Sequence, residues 1–318
     1  RLLTDADVFL TSTRVRSLVK LGYDFETLHV RFPRLVMAQV LGFGAKGPLK
    51  DAPGFDMTAC MSRGGVLGTT VSRPMIPPNG YGDFQVSFVL AAGILAALLG
   101  RERSGRGDYV TTSLFHSGAF MLNTAMISAQ YGNEYPKDRR EVINPFNNTY
   151  AAGDGLLMTL CAPEYDRDFD KLMRLLGRDD LVGDSRYSNC DELNAKGLNG
   201  EVVDIMDEAF ATRDRAHWIE LMLDNDVPIE TCQLPTDIYV DEQARANDVL
   251  RTVTCPSGNE RMIPTNPVRF SSQGDPELRL TRAQGSDSET VLAELGYSEQ
   301  RIGEILASEG VLATTPLA

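Results

Sequence analysis

Apolar and polar positions alternate between two regimes along the first third of the chain. Asp7 to Thr11 is a short apolar stretch of strand length, and Leu35 to Phe43, rich in valine and leucine, is a second. Between them, Arg14 to Leu28 is basic and amphipathic, which predicts helix. Strand, helix, strand in that order predicts a parallel α/β sheet, in which ligands sit beyond the carboxyl ends of the strands. The loop after the second strand, opened by Gly42-Phe43-Gly44 and marked by Gly47-Pro48 and Pro53-Gly54, is therefore a candidate site wall. A Pro/Gly-rich loop from Pro74 to Gly82 leads into Asp83. From Phe84 to Leu99 no residue is charged, which predicts a helix buried on nearly all sides, slightly short for a membrane span. The turn Ser104 to Asp108 follows, then a strand from Tyr109 to Leu114.

Beyond Tyr131 the pattern changes. The expected division is a Rossmann-like large domain over 1–135, a polar linker over 136–148, a smaller inserted α+β domain over 149–253, a return linker over 254–287 and C-terminal helices over 288–318 that pack on the large domain. Within the smaller domain the pattern predicts strands near Leu156–Cys161 and Pro228–Leu234. It also predicts helices near Tyr165–Leu176 and Glu201–Leu223. The last helices are expected over Ser288–Leu295 and Ser298–Ser308. Arg1 to Asp7 reads as the end of a helix running into a strand, so a preceding segment is expected.

A length of 318 residues, 42% of them hydrophobic and 24% charged, fits a folded chain of one large or two medium domains. The net charge of −13 excludes a broad basic face for nucleic acid. A small polyanion needs only a local basic site. Arg14, Arg16, Lys20, Arg31, Arg34, Lys46 and Lys50 supply one in the first fifty residues, against Asp5, Asp7, Asp24 and Glu26. The five cysteines show no CxxC spacing and the three histidines are far apart, so neither a zinc site nor a Ser-His-Asp triad is expected. Reduced thiols point to the cytoplasm.

Asp83 has an ordinary explanation as the cap of an apolar helix. Two features favour chemistry. Small residues in Asn79-Gly80-Tyr81-Gly82 allow a ligand close to the backbone. The apolar helix behind would stand the carboxylate at a dry edge, where it can act as a nucleophile with backbone N–H groups stabilising an oxyanion.

Gly82-Asp83, the helix ending Gly93-Ile94-Leu95-Ala96-Ala97-Leu98, and Arg101-Glu102-Arg103-Ser104-Gly105-Arg106-Gly107 resemble the signature of the family III CoA transferases. Ala6 to Phe9 with Leu21 to Asp24, Asp226 to Ile229, and Leu292 to Ser298 resemble further segments of that family, in the same order. The resemblance implies that Asp83 attacks a donor acyl-CoA, giving a mixed anhydride and then an aspartyl-CoA thioester that the acceptor acid resolves. It implies CoA or acyl-CoA as substrate, no permanently bound cofactor and no metal. The implied assembly is an interlocked homodimer, with no nucleic-acid or membrane partner and a possible downstream 2-hydroxyacyl-CoA dehydratase.

By the same resemblance Ser12, Arg14, Lys20, Gly42, Phe43 and Gly44 would hold CoA, and Phe55, Asp56 and Gly82 would line the substrate pocket. A solvated helix face is the plain alternative for the basic residues. Asp56 either orients substrate or starts a helix. The racemase branch of the family has histidine where this chain has Phe55, and phenylalanine cannot transfer a proton. The glycine-rich flap of formyl-CoA transferase has no counterpart here, and the family's first strand and helix precede the present Arg1. Arg73 to Asp83 and Asn144 to Tyr150 look like the phenyllactate and 2-hydroxyisocaproate type, which implies an aryl or branched 2-hydroxy acid as acceptor. Met57, Met61, Phe84 and Phe88 are candidates for an acyl pocket and equally for plain core. The competing readings are a 2-methylacyl-CoA racemase-like enzyme and a non-catalytic CoA-binding subunit. A nucleotide-dependent dehydrogenase lacks a GxGxxG after a strand.

Overall fold

The computed structural model describes residues 1–69, 71, 76–255, 257–274, 277–278, 280–308 and 311. Part of the loop used for the subfamily resemblance (Arg73, Pro74 and Met75) and the chain after 311 lie outside them. Two compact units are formed. One comprises Arg1–Thr149 with Cys161–Ala209; the other comprises Tyr150–Leu160 with the described residues of Phe210–Ala318. The segment 161–209 thus groups with the N-terminal residues, unlike the expected 149–253 block.

In the first unit the short helix α1 (Leu2–Asp5) leads into β1 (Val8–Thr11). The single amphipathic stretch is two helices, α2 (Val15–Leu21) and α3 (Phe25–Arg31). Gly22 closes α2 in the left-handed region (φ 69°), and the Asp24 carboxylate caps α3 by accepting from the Thr27 amide. Then come β2 (Val36–Leu41), a π-helix (Asp56–Arg63), α4 (Tyr81–Ser104), β3 (Tyr109–Ser113), α5 (Leu114–Met121) and α6 (Asn123–Ala129). The sheet order is β1-β2-β3, all parallel, with Val8 opposite Val36 and Met37 opposite Tyr109. β2 is in the middle and covered on both faces, which is why it reads as an apolar run interrupted only by Gln39. Leu18, Leu28, Leu35 and Met37 form the core on one side; Ala59, Cys60, Met61, Val86 and Leu114 form a second core cluster.

Two expectations fail here. α4 is not buried on nearly all sides: only Gly82, Val86 and Leu90 are, while Phe84, Phe88, Leu95 and Leu99 are exposed. Its apolar residues run round the whole helix, so the sequence could not show which face meets the sheet. By length and composition alone α4 could also cross a bilayer. The segment 136–148 is not a free linker either. Arg139 forks onto Asp207 and donates to the Thr149 carbonyl, Arg140 pairs with Asp204, and Asn144 donates to the Ala162 carbonyl. The remaining helices of this unit are α7 (Tyr165–Leu175), α8 (Cys190–Lys196) and most of α9 (Asn199–Phe210).

β4 (Asn147–Ala151), β5 (Leu157–Cys161) and β6 (Ile229–Thr231) form a three-stranded sheet in which β5 and β6 are antiparallel. The helix expected over Glu201–Leu223 breaks in two, since Asp214 caps α10 (Arg215–Asp224) through the His217 amide. α11 (Glu242–Ala246) precedes a hairpin of β7 (Leu250–Thr254) and β8 (Glu260–Pro264), where the sequence reading placed mostly linker. α12 (Ser288–Glu294) and α13 (Glu299–Ala307) fall where the C-terminal helices were expected.

Candidate active site

The carboxyl ends of β1 and β2 and the start of α4 enclose a cleft of ≈370 Å³. Its walls are Ser12, Arg14, Val40, Leu41, Gly42, Lys50, Ala52, Pro53, Gly54, Phe55, Asp56, Asp83 and Leu114. One wall exists because two glycine backbones touch. A Cβ on Gly42 would lie 2.7 Å from the Gly54 Cα, and one on Gly54 would lie 2.5 Å from the Gly42 Cα. Neither position could carry a side chain without moving the loop.

Asp83 stands in the first turn of α4 and is not its cap; that position belongs to Gly80, in the left-handed region at φ 92°. Among the described residues no group donates a hydrogen bond to the Asp83 carboxylate. Partial burial, and after it the charge of Asp56, push its carboxyl above the ordinary range.

Asp56 is buried and fully engaged. Its Oδ2 accepts from the Gly80 amide (2.9 Å) and its Oδ1 from the Gly82 amide (3.0 Å). One carboxylate from the π-helix thus clamps the chain immediately before the nucleophile candidate and satisfies two amides that a helix start leaves open. Those amides are consequently not free to act on an oxyanion. Gly82 fits because it has no side chain: a Cβ there would lie 2.4 Å from Asp56 Oδ1 and 2.5 Å from Cys60 Sγ. Cys60 is completely buried, and burial, then Asp56 and Asp83, push its thiol up, so it is inert packing.

Of the residues singled out in the sequence, Ser12, Arg14, Gly42, Phe55, Asp56 and Asp83 come together on this cleft, with Gly82 directly behind the Asp56 carboxylate. Lys20 is exposed in the last turn of α2 and is not on the wall; nor are Phe43, which packs on the core, and Gly44. The acyl-pocket candidates are not on it either. Met61 is wholly buried, Met57 packs on the same core, and Phe84 and Phe88 are exposed on α4. Lys50 was missed as a wall residue. Its signal was present in the basic cluster, but nothing local distinguished it from its neighbours. Arg14 and Lys50 pair with no carboxylate among the described residues, so the cleft presents two cations outside any ion pair. Phe55 keeps 71% of its surface exposed, at the mouth.

The chain is similar to known proteins in sequence and in fold. The sequence model of CoA-transferase family III matches residues 1–281. Cinnamoyl-CoA:phenyllactate CoA-transferase of Clostridium sporogenes is 41% identical over 98% of this chain and 77% of its own length. (R)-2-Hydroxy-4-methylpentanoate CoA-transferase of Clostridioides difficile is 37% identical over 98% and 78%. A Mycobacterium tuberculosis protein superposes with a TM-score of 0.73 at 24% identity, over 86% of this chain and 73% of that one. A CAIB/BAIF family protein of Brucella suis gives 0.69 at 24%, over 92% and 76%.

Proposed function

The chain belongs to CoA-transferase family III, and we propose that its transfer of CoA runs through Asp83, from an acyl-CoA donor to an aryl or branched-alkyl 2-hydroxy acid. The observation that carries this reading is an aspartate held at a helix start by a second, fully engaged aspartate, its own carboxylate unengaged, beside two unpaired cations. The ionised Asp83 attacks the thioester carbonyl. The C–S bond breaks, CoA thiolate leaves, and a mixed anhydride forms. The thiolate then attacks the aspartyl carbonyl, releasing the donor acid and leaving an aspartyl-CoA thioester. The acceptor carboxylate attacks that thioester to form a second anhydride. Thiolate addition to its acyl carbon gives the new acyl-CoA and returns Asp83. No metal or resident cofactor enters these steps. Arg14 and Lys50 offer charge to the CoA phosphates, with Ser12 as a neutral partner.

The choice of acceptor follows from the two clostridial relatives, which act on phenyllactate and on (R)-2-hydroxy-4-methylpentanoate. Phe55, Pro53, Leu41 and Leu114 supply an apolar side to the cleft. Phe55 leaves a racemase without its second proton carrier. A product of this kind suits a 2-hydroxyacyl-CoA dehydratase downstream. The exposed apolar face of α4 supports assembly with a second copy, as in the interlocked homodimer the family resemblance implies. Five free cysteines suit a reducing cytoplasm.

The test is mass spectrometry after incubation with cinnamoyl-CoA and with isocaprenoyl-CoA, followed by hydroxylamine or borohydride trapping. An adduct on Asp83, lost in Asp83→Ala, is expected. Tight CoA binding with no adduct from any acyl-CoA would exclude the covalent route and favour a binding subunit.

A further inference from the structure

Gln39 is a polar side chain in the middle strand of the parallel sheet, and it is fully buried. Its strand neighbours Met37, Ala38, Val40 and Leu41 are apolar, so packing alone does not ask for an amide there. A buried amide is tolerated only when its donors and acceptor find partners. The Gln39 Nε2 donates to the Thr13 carbonyl (2.6 Å), and its Oε1 accepts from the Tyr109 hydroxyl. The sense of the amide is forced. A backbone carbonyl can only accept, so the NH2 must face Thr13, and the oxygen must then face the hydroxyl proton.

Tyr109 is held for this purpose. It lies on β3, its ring stacks on Phe25 with centroids 5.0 Å apart, and Phe25 in turn stacks on His29 at 4.8 Å. Burial, and after it the charge of Glu26, push the Tyr109 phenol up, the direction that favours a donating hydroxyl.

At the other end of the tether is the turn that leaves β1. Thr13 lies between Ser12 and Arg14, and both of those line the Asp83 cleft. The Thr13 amide donates to Thr11 Oγ1 (3.0 Å), so the turn is fixed through both its N–H and its carbonyl. Arg14 follows at the N-cap of α2, where its carbonyl accepts from the Ser17 and Leu18 amides, so the turn meets the helix at this residue. We infer that Gln39, oriented by Tyr109, is a positioning residue that sets where Ser12 and Arg14 stand on the cleft wall and thereby the affinity for the anionic part of the acyl-CoA donor. The inference rests on the reading of this cleft as the acyl-CoA site.

The geometry separates two kinds of defect. Loss of the tether shifts the wall that meets CoA and leaves Asp83 and its Asp56 clamp untouched, since those sit on other elements. CoA affinity should therefore change while turnover at saturation does not.

The experiment compares Gln39→Leu, Tyr109→Phe and Arg14→Ala in the whole chain. It measures CoA binding by calorimetry, and kcat and KM with cinnamoyl-CoA as donor and phenyllactate as acceptor. Gln39→Leu is expected to weaken CoA binding and raise the donor KM about tenfold, and Tyr109→Phe about threefold, with kcat and the acceptor KM within about twofold. Arg14→Ala should reproduce the donor-side defect. If Arg14→Ala weakens CoA binding and folded Gln39→Leu does not, the positioning role is overturned and the cleft reading survives. Equal loss in kcat and in both KM values would mark Gln39 as merely structural and overturn the inference too. Should Gln39→Leu fail to fold, Tyr109→Phe, which removes one oxygen only, decides alone: unchanged CoA affinity overturns the proposal. If no variant, Arg14→Ala included, alters CoA binding, the cleft reading itself is wrong.

Discussion

Two hollows in the N-terminal unit differ in size and in how their polar groups are occupied. The larger, ≈580 Å³, is walled by Asn133, Tyr135, Asn144, Asp166, Arg167 and Cys190, among others; the Asp83 cleft is ≈370 Å³. In the larger hollow several polar groups are engaged by their neighbours, while Lys137 on the same wall has no ion-pair partner among the described residues. Arg167 forks onto Asp168 at 2.9 Å, Asp166 accepts from the Asn189 side chain and the Cys190 amide, and Asn144 holds the Phe146 amide and the Ala162 carbonyl. In the smaller one, one aspartate is spent so that another is not. Volume alone would favour the larger hollow; the proposed reading rests instead on the state of the carboxylates in the smaller one.

The comparison can be broken most decisively at Asp83. Asp83→Ala should lower kcat about a thousandfold or more and abolish the trapped adduct, because no other carboxylate on the wall is unengaged. Substantial residual activity would mean the reacting group lies elsewhere. Asp56→Asn comes next. It keeps the shape but can satisfy only one of the two amides, and the displaced nucleophile should cost about tenfold to a hundredfold in kcat. It also has a pH signature. In the proposed mechanism Asp83 reacts as the anion, and its carboxyl is raised by burial and then by Asp56. The acid limb of the rate profile should therefore lie above that of an ordinary carboxylate. Removing the Asp56 charge should move that limb to lower pH. A limb that stays put in Asp56→Asn would dissociate the two aspartates.

Arg14→Ala should raise the KM for the acyl-CoA roughly tenfold with little change in kcat, which sharpens the assignment of the basic side. The smallest effect is expected in the larger hollow. Arg167→Ala should leave kcat/KM within about twofold, as expected for an exposed ion pair that is not on the Asp83 cleft wall. A large loss there would reverse the ranking of the two hollows.

Much of the sheet and the place of Asp83 were legible, because the signals are local. Val8–Thr11 and Val36–Leu41 are largely apolar, Tyr109–Ser113 is rich in β-branched and aromatic residues, and Gly80-Tyr81-Gly82 announces a helix start. Gly22 and Asp24 together also announce a helix break, overlooked because the apolar period continues across them. What the sequence hid depends on contacts between distant segments. Asp56 precedes its two amide partners by more than twenty residues, and nothing near it distinguishes a clamp from an ordinary helix start. The exposed side of α4 was hidden for another reason: a helix apolar all round carries no directional signal. The hairpin of β7 and β8 lies in polar sequence, where pairing is decided by the partner strand and not by burial.

The touching backbones of Gly42 and Gly54 limit how this enzyme can change over generations. Neither glycine has positive φ, so what binds them is space and not conformation. A methyl on either one is blocked by the other, so no first step is open at one position until the other strand has already moved. The two sites are frozen jointly, and a library meant to retune acceptor choice would waste its diversity there. Pro53 and Phe55 flank the same crossing without sharing its constraint, and they are where inherited variation can accumulate and new acids can be explored.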